Sequence, residues 1–105
     1  MRKGNLLKES KGRVTIELLT DQGMWPTFNI GDFLVIDPND RNFDDSPFVI
    51  DWPSKFEPFT IRRVMLHEDG SYDLRGDDVY IKRQHLKPEE NLPIIGKVVG
   101  LYRKL

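Results

Sequence analysis

Cysteine is absent from this chain, which removes disulfides, thiolate nucleophiles and cysteine-ligated metal centres together. Alanine is absent as well. Nowhere does the sequence show the 3.6-residue apolar period of an amphipathic helix. Histidine occurs only at His67 and His85, without the spacing of a metal-ligand pair. No apolar run reaches the roughly 18 residues of a spanning helix, and Met1-Arg2-Lys3-Gly4 leads into no signal-peptide core. The expectation is a cytoplasmic protein with no membrane contact, no cofactor and no metal.

The 105 residues suffice for one domain with its own core. Charge is uneven. Residues 1–13 hold five Lys/Arg against one Glu, residues 14–80 five against fourteen Asp/Glu, and residues 81–105 six against two. An acidic middle is a poor footprint for a phosphate backbone, which argues against a small nucleic-acid-binding β-barrel. It suits copies that set a basic end against an acidic middle.

Residues 1–12 are polar and aperiodic and read as a linker or flexible arm, leaving 13–105 as the domain. Strands are expected at Arg13–Leu19, Asp32–Asp37, Phe48–Trp52, Phe59–Leu66, Ser71–Leu74, Val79–Ile81 and Ile94–Tyr102. Asp69-Gly70 reads as a two-residue hairpin turn with both residues at positive φ. Residues 82–92 read as a polar loop. The fold class is mostly β: a compact domain of short strands in curved antiparallel sheets.

Two stretches carry the functional signal. One is Gly23-Met24-Trp25-Pro26-Thr27-Phe28 followed by Gly31-Asp32 and Leu34-Val35; the other is Ile61-Arg62-Arg63-Val64. Together with Ile94-Ile95-Gly96-Lys97-Val98 they make the chain, from about Arg13 onward, resemble the LexA and lambda-repressor family of self-cleaving serine-lysine peptidases. In that family a loop of the form Gly-Asp-Ser-Met-x-Pro precedes a Gly-Asp pair, and a Lys-Arg pair followed by an apolar residue lies on a later strand. The resemblance places the serine nucleophile at Gly23 and the lysine base at Arg62. Glycine has no side chain to attack with, and an arginine is not deprotonated in a protein. The implied reading is a catalytically inactive member with Gly23 and Arg62 as remnant positions. The Ala-Gly or Cys-Gly bond that the family cleaves is also missing.

The resemblance implies a repressor whose N-terminal DNA-binding head, outside this chain, contacts operator DNA, and a visible domain that pairs two such heads. The expected interface is the C-terminal strand at Gly96, Val98, Val99, Gly100, Leu101 and Tyr102, taken as a bare sheet edge. The main partner is therefore a second copy, with an antirepressor protein as a further partner. Two alternatives stand beside this reading: a residual autopeptidase of the LexA type, and a stand-alone modulator that binds a repressor or another protein. Ser46, Ser54 and Ser71 sit where serine bonds its own backbone. Ser54-Lys55 are poorly placed for a dyad, and His67 flanks a hairpin. Asp44-Asp45 could draw a cation but lack a calcium-loop pattern. Trp25, Trp52 and the phenylalanines are core or interface material. Arg62 should lie within about 15 Å of Gly23, a few residues of extended strand. Its charge should be met by an acidic residue such as Asp21 or by loop carbonyls.

Overall fold

A computed structural model of the chain describes residues 13–19, 24–55 and 57–103. The arm expected at 1–12 lies outside these. Seven strands follow in sequence: β1 (Thr15–Leu18), β2 (Phe33–Asp37), β3 (Asp44–Ile50), β4 (Thr60–Leu66), β5 (Tyr72–Arg75), β6 (Gln84–Leu86) and β7 (Ile94–Tyr102). They form one sheet in the order β1-β2-β7-β3-β4-β5-β6, antiparallel at every step. No helix occurs among the described residues. The mostly-β expectation holds, in a single sheet.

The burial pattern explains how one sheet makes a core. In β3 the consecutive residues Phe48, Val49 and Ile50 are all fully buried. Neighbours along a strand point to opposite faces, so this run needs apolar cover on both sides. Val49 joins Leu19, Met24, Phe28, Leu34, Ile36, Phe59, Ile61 and Val98 in one cluster. Phe48 and Ile50 join Val64, Leu74 and Leu86 in another. β4 divides in the same way, Ile61 to the first cluster and Val64 to the second. With no helix to cover either face, loops and the sheet's own curl must do so. β-bulges between Val35 and Ile36, between Asp44 and Ser46, and between Val49 and Ile50 supply local bending and twist.

Three expectations are corrected. Val79–Ile81 is a turn, with Val79 and Tyr80 about nine-tenths exposed, and the strand after β5 is Gln84–Leu86, inside the stretch read as a polar loop. Only Leu86 of β6 is buried, so a three-residue strand with one apolar anchor leaves almost no periodic signal. The β4–β5 connection is not a two-residue turn: Gly70 alone takes positive φ, at 87°, and His67 and Ser71 close a wider loop (His67 N–H to Ser71 O, 2.9 Å). The C-terminal strand is no bare edge either. β7 lies between β2 and β3, paired with β3 from Ile94 to Lys97 and with β2 from Lys97 to Tyr102. Among the described residues Lys97 alone is laddered on both sides; residues 94–96 pair with β3, and from Val98 onward the ladder is with β2.

Gly96 shows how tightly β7 is inserted. A Cβ built there would stand 2.7 Å from Ile36 Cγ2 and 2.8 Å from the Asp37 carbonyl oxygen. The second contact is with backbone and cannot rotate away. Gly96→Ala is therefore expected to destabilise the domain by about 1–3 kcal/mol, read as a lower urea midpoint. Gly100→Ala, whose Cβ would meet only Val35 at 3.6 Å, should leave the midpoint nearly unchanged.

Candidate functional site

The loop between β1 and β2 is pinned by its apolar ends. Met24 is fully buried and Phe28 nearly so, and the Phe28 N–H donates to the Met24 carbonyl at 3.0 Å. Trp25, between them, is more than half exposed, and its bond to Pro26 is cis. Trp25 is thus not core, whereas Trp52 packs on the second cluster. Gly31, at φ 97°, lets the chain turn into β2, its N–H reaching the Leu19 carbonyl at 3.0 Å.

Asp32, next to this glycine, is buried to 3% exposure. Its carboxylate accepts the Asn29 N–H at 2.8 Å and the Arg103 guanidinium through Nε and Nη2 at 3.0 and 2.8 Å. Arg103 Nη2 also reaches the Thr27 carbonyl at 3.4 Å. The residue just beyond β7 is thereby tied to the loop that precedes β2. The hydrogen bond from Arg103 holds the Asp32 carboxyl below its ordinary value against the opposing effect of burial.

A second network starts at Thr27, whose hydroxyl donates to Asp77. Asp77 accepts both Nε and Nη2 of Arg63, at 2.7 and 2.9 Å, a two-pronged pair that only arginine can make. Arg63 Nη1 reaches the Asp45 carbonyl at 3.2 Å. Arg75 grips the Asp45 carboxylate at 3.2 and 2.7 Å and stands 3.5 Å from Asp77. Arg63 and Arg75 are direct cross-strand partners, a like-charge pairing that costs stability unless carboxylates intervene. Asp45 and Asp77 intervene here. Asp45 does so from an unusual backbone, at φ 69° beside the β3 bulge. The Asp44-Asp45 pair is thus occupied by protein cations: Asp45 by Arg75, and Asp44 by Lys97 at 3.5 Å and by the Ser46 hydroxyl.

Arg62 and Arg63 are neighbours on β4 and face opposite sides. Arg62 stands across from Phe48 and donates Nη1 to the Ile61 carbonyl at 2.6 Å. Arg63 lies on the side of Ile61, the residue that packs with Met24 and Phe28. The charged network therefore belongs to Arg63, which the sequence pattern did not single out. Strand alternation was the signal available for choosing between the two arginines. Gly23 and Asp21 lie outside the described residues, so the expected approach of Arg62 to either lies there too. A carbonyl does meet Arg62, but it is that of the preceding strand residue. Of the expected interface residues, Gly96 and Val98 are buried, while Val99, Leu101 and Tyr102 are exposed at 50%, 38% and 62%.

The serine hydroxyls among the described residues serve local structure. Ser46 and Ser71 donate to Asp44 and Asp69, and Ser54 Oγ accepts the Glu57 N–H. Lys97 Nζ faces Asn42 O, Asp40 and Asp44. Among the described residues no helix is long and apolar enough to cross a membrane.

Burial pushes the Asp77 carboxyl up, but hydrogen bonds from Arg63 and Thr27 and the Arg63 and Arg75 charges outweigh it, so the net shift is downward. A carboxyl depressed in the folded state contributes stability that is present above the unfolded value near pH 4 and lost as pH falls through the folded value. Asp77→Asn is expected to lower stability at neutral pH by about 1–3 kcal/mol, the range for a charge-assisted hydrogen bond. It should also flatten the fall of stability below about pH 4; urea titrations at pH 7 and pH 3 measure both.

A model of the Peptidase S24-like family matches residues 4–99. No curated protein matches the chain.

Proposed function

Because the chain belongs to the Peptidase S24-like family, in which LexA and phage repressor C-terminal domains are found, we propose that it is a non-catalytic self-association domain of a phage- or prophage-type transcriptional repressor. Its work is to pair N-terminal DNA-binding heads that lie outside this chain, so that two modest operator contacts act as one. The observation that carries this reading is the bare surface around the second half of β7.

From Val98 onward β7 is paired on one side only. Among the described residues nothing covers the adjacent outer face of β1, β2 and β7, which is apolar. The register sets Ile16 beside Val35 and Val35 beside Gly100, and Leu18 beside Phe33 and Phe33 beside Tyr102. Ile16, Phe33 and Tyr102 are 49%, 45% and 62% exposed. A contiguous apolar face of this kind marks a contact surface. A free strand edge next to it allows two copies to join antiparallel across a two-fold axis, each strand completing the other's ladder. The interface so proposed comprises Val99, Gly100, Leu101 and Tyr102; Gly96 and Val98 serve the interior of each copy.

Absence of catalysis rests on residue identity. Gly23 offers no nucleophile and Arg62 no neutral base. Without self-cleavage, such a repressor is released by some other means, of which an antirepressor protein is one.

Light scattering at about 100 μM, well above a micromolar dissociation constant, should find a dimer or larger species, and a strict monomer would overturn the proposal. Val99→Glu should weaken assembly by about tenfold or more while leaving the circular dichroism unchanged, because Val99 is half exposed. Incubation at about pH 9–10, where a lysine begins to lose its proton, should yield no clipped product by mass spectrometry, with the native sequence or with Arg62→Lys. A self-generated fragment would establish the residual-autopeptidase reading instead.

A further inference from the structure

His67 and His85, eighteen positions apart in the chain, meet on one carboxylate. His67 Nε2 stands 2.8 Å from Asp73 Oδ2, and His85 Nδ1 stands 2.8 Å from Asp73 Oδ1. The ring centroids are 6.3 Å apart. Three backbone segments supply the parts: His67 directly follows β4, Asp73 lies on β5, and His85 is its direct cross-strand partner on β6. The imidazoles address different oxygens and not one shared point. No group of three His, Asp or Glu able to hold a metal is found among the described residues. The arrangement is one for protons.

What it holds is the edge of the sheet. β6 is three residues long, pairs only with β5, and buries only Leu86, which covers Leu74 and Val64 in the second cluster. A strand with so few contacts opens at small cost. We propose that His67, Asp73 and His85 form a proton-dependent clip that closes β6 onto β5, tight while the rings are charged and looser when they are neutral. Histidine is the side chain that changes charge between about pH 5 and 8. Protonated, the two rings give two charge-assisted hydrogen bonds to one carboxylate; neutral, they give two ordinary ones, roughly half as strong.

Charged groups from several elements surround the clip. Asp69, in the β4–β5 turn, acts on both rings, and Glu68 adjoins His67 in the chain. An open cleft of about 230 Å³ beside the clip is lined by Asp45 from β3, Met65 from β4, Arg75 from β5 and Arg83 ahead of β6. Asp45 and Arg75 neutralise one another at 2.7 Å. Arg83, and Lys87 beyond β6, remain as the opposing cations. On the acid side, hydrogen bonds from His85 and then His67 hold the Asp73 carboxyl below its ordinary value. That contribution is present above the unfolded carboxyl value and is lost only as pH falls through the lower folded one. The acid limit of the clip is therefore set by Asp73.

Amide hydrogen exchange of Gln84–Leu86, corrected for intrinsic rate and referred to the β3 amides, tests this. Protection of β6 should fall about threefold to tenfold from pH 5.5 to pH 8, the range expected of two partly exposed ion pairs. In Asp73→Asn it should be low and independent of pH, and in His67→Gln about half of the dependence should remain. Nitrogen-resolved NMR should find neutral His85 protonated on Nδ1 and neutral His67 on Nε2. Unchanged protection across the range, an equal pH dependence in Asp73→Asn, or the opposite tautomers would overturn the clip.

Discussion

β2 and β3 follow one another in the chain but never pair. The space between them is filled by β7, which arrives after β4, β5 and β6 have been made. Its first half bonds to β3 and its second to β2, so that the two halves of the sheet share this strand. Gly96 sits at the point of closest approach, where backbone meets backbone without room for a methyl group. The fold is thus closed by its most distant contacts, which carry the largest loop-closure cost and must be offset by burial on both faces at once. Phe48, Val49 and Ile50 provide that burial, and this is why three consecutive residues of one strand are fully enclosed.

The same strand sets where surface remains. The β3–β7 ladder ends at Phe48 and Lys97, next to Pro47, which has no N–H to give, and β7 runs on with β2; on the other side of β3, Asp45 at the bulge against β4 sets its carboxylate on Arg75. The network in turn reaches the loop before β2 through Arg63, Asp77 and Thr27, while Arg103 at the end of β7 reaches it through Asp32. The loop before β2 is thus tied from two sides, through Asp32 to Arg103 and through Thr27 and Asp77 to Arg63.

β-class, the absence of an amphipathic helix, six of the seven strands in outline and the family were all legible in the residues. Alternation in β2, β4 and β7, turn formers between the strands, and the Met24, Pro26 and Gly31-Asp32 spacing are local properties, and local properties survive in sequence. β6 was not legible, because one buried leucine makes no period; nor was the start of β3, because Asp44, Asp45 and Ser46 are polar residues drawn into a strand by its bulge.

The chain's composition and spacing by themselves determined that no cysteine chemistry is possible, that Gly23 cannot attack, that Arg62 cannot act as a neutral base, and that the domain is built of strands. Those are statements about single residues and their immediate neighbours. Tertiary structure alone decided that β7 joins β2 to β3, that Arg63 meets Asp77 and Asp45, and that two histidines eighteen positions apart close on one aspartate. Each of these depends on which distant strand lies alongside and in what register. Pairing is settled by the burial of the whole sheet, since a shift of one residue would turn every side chain to the other face.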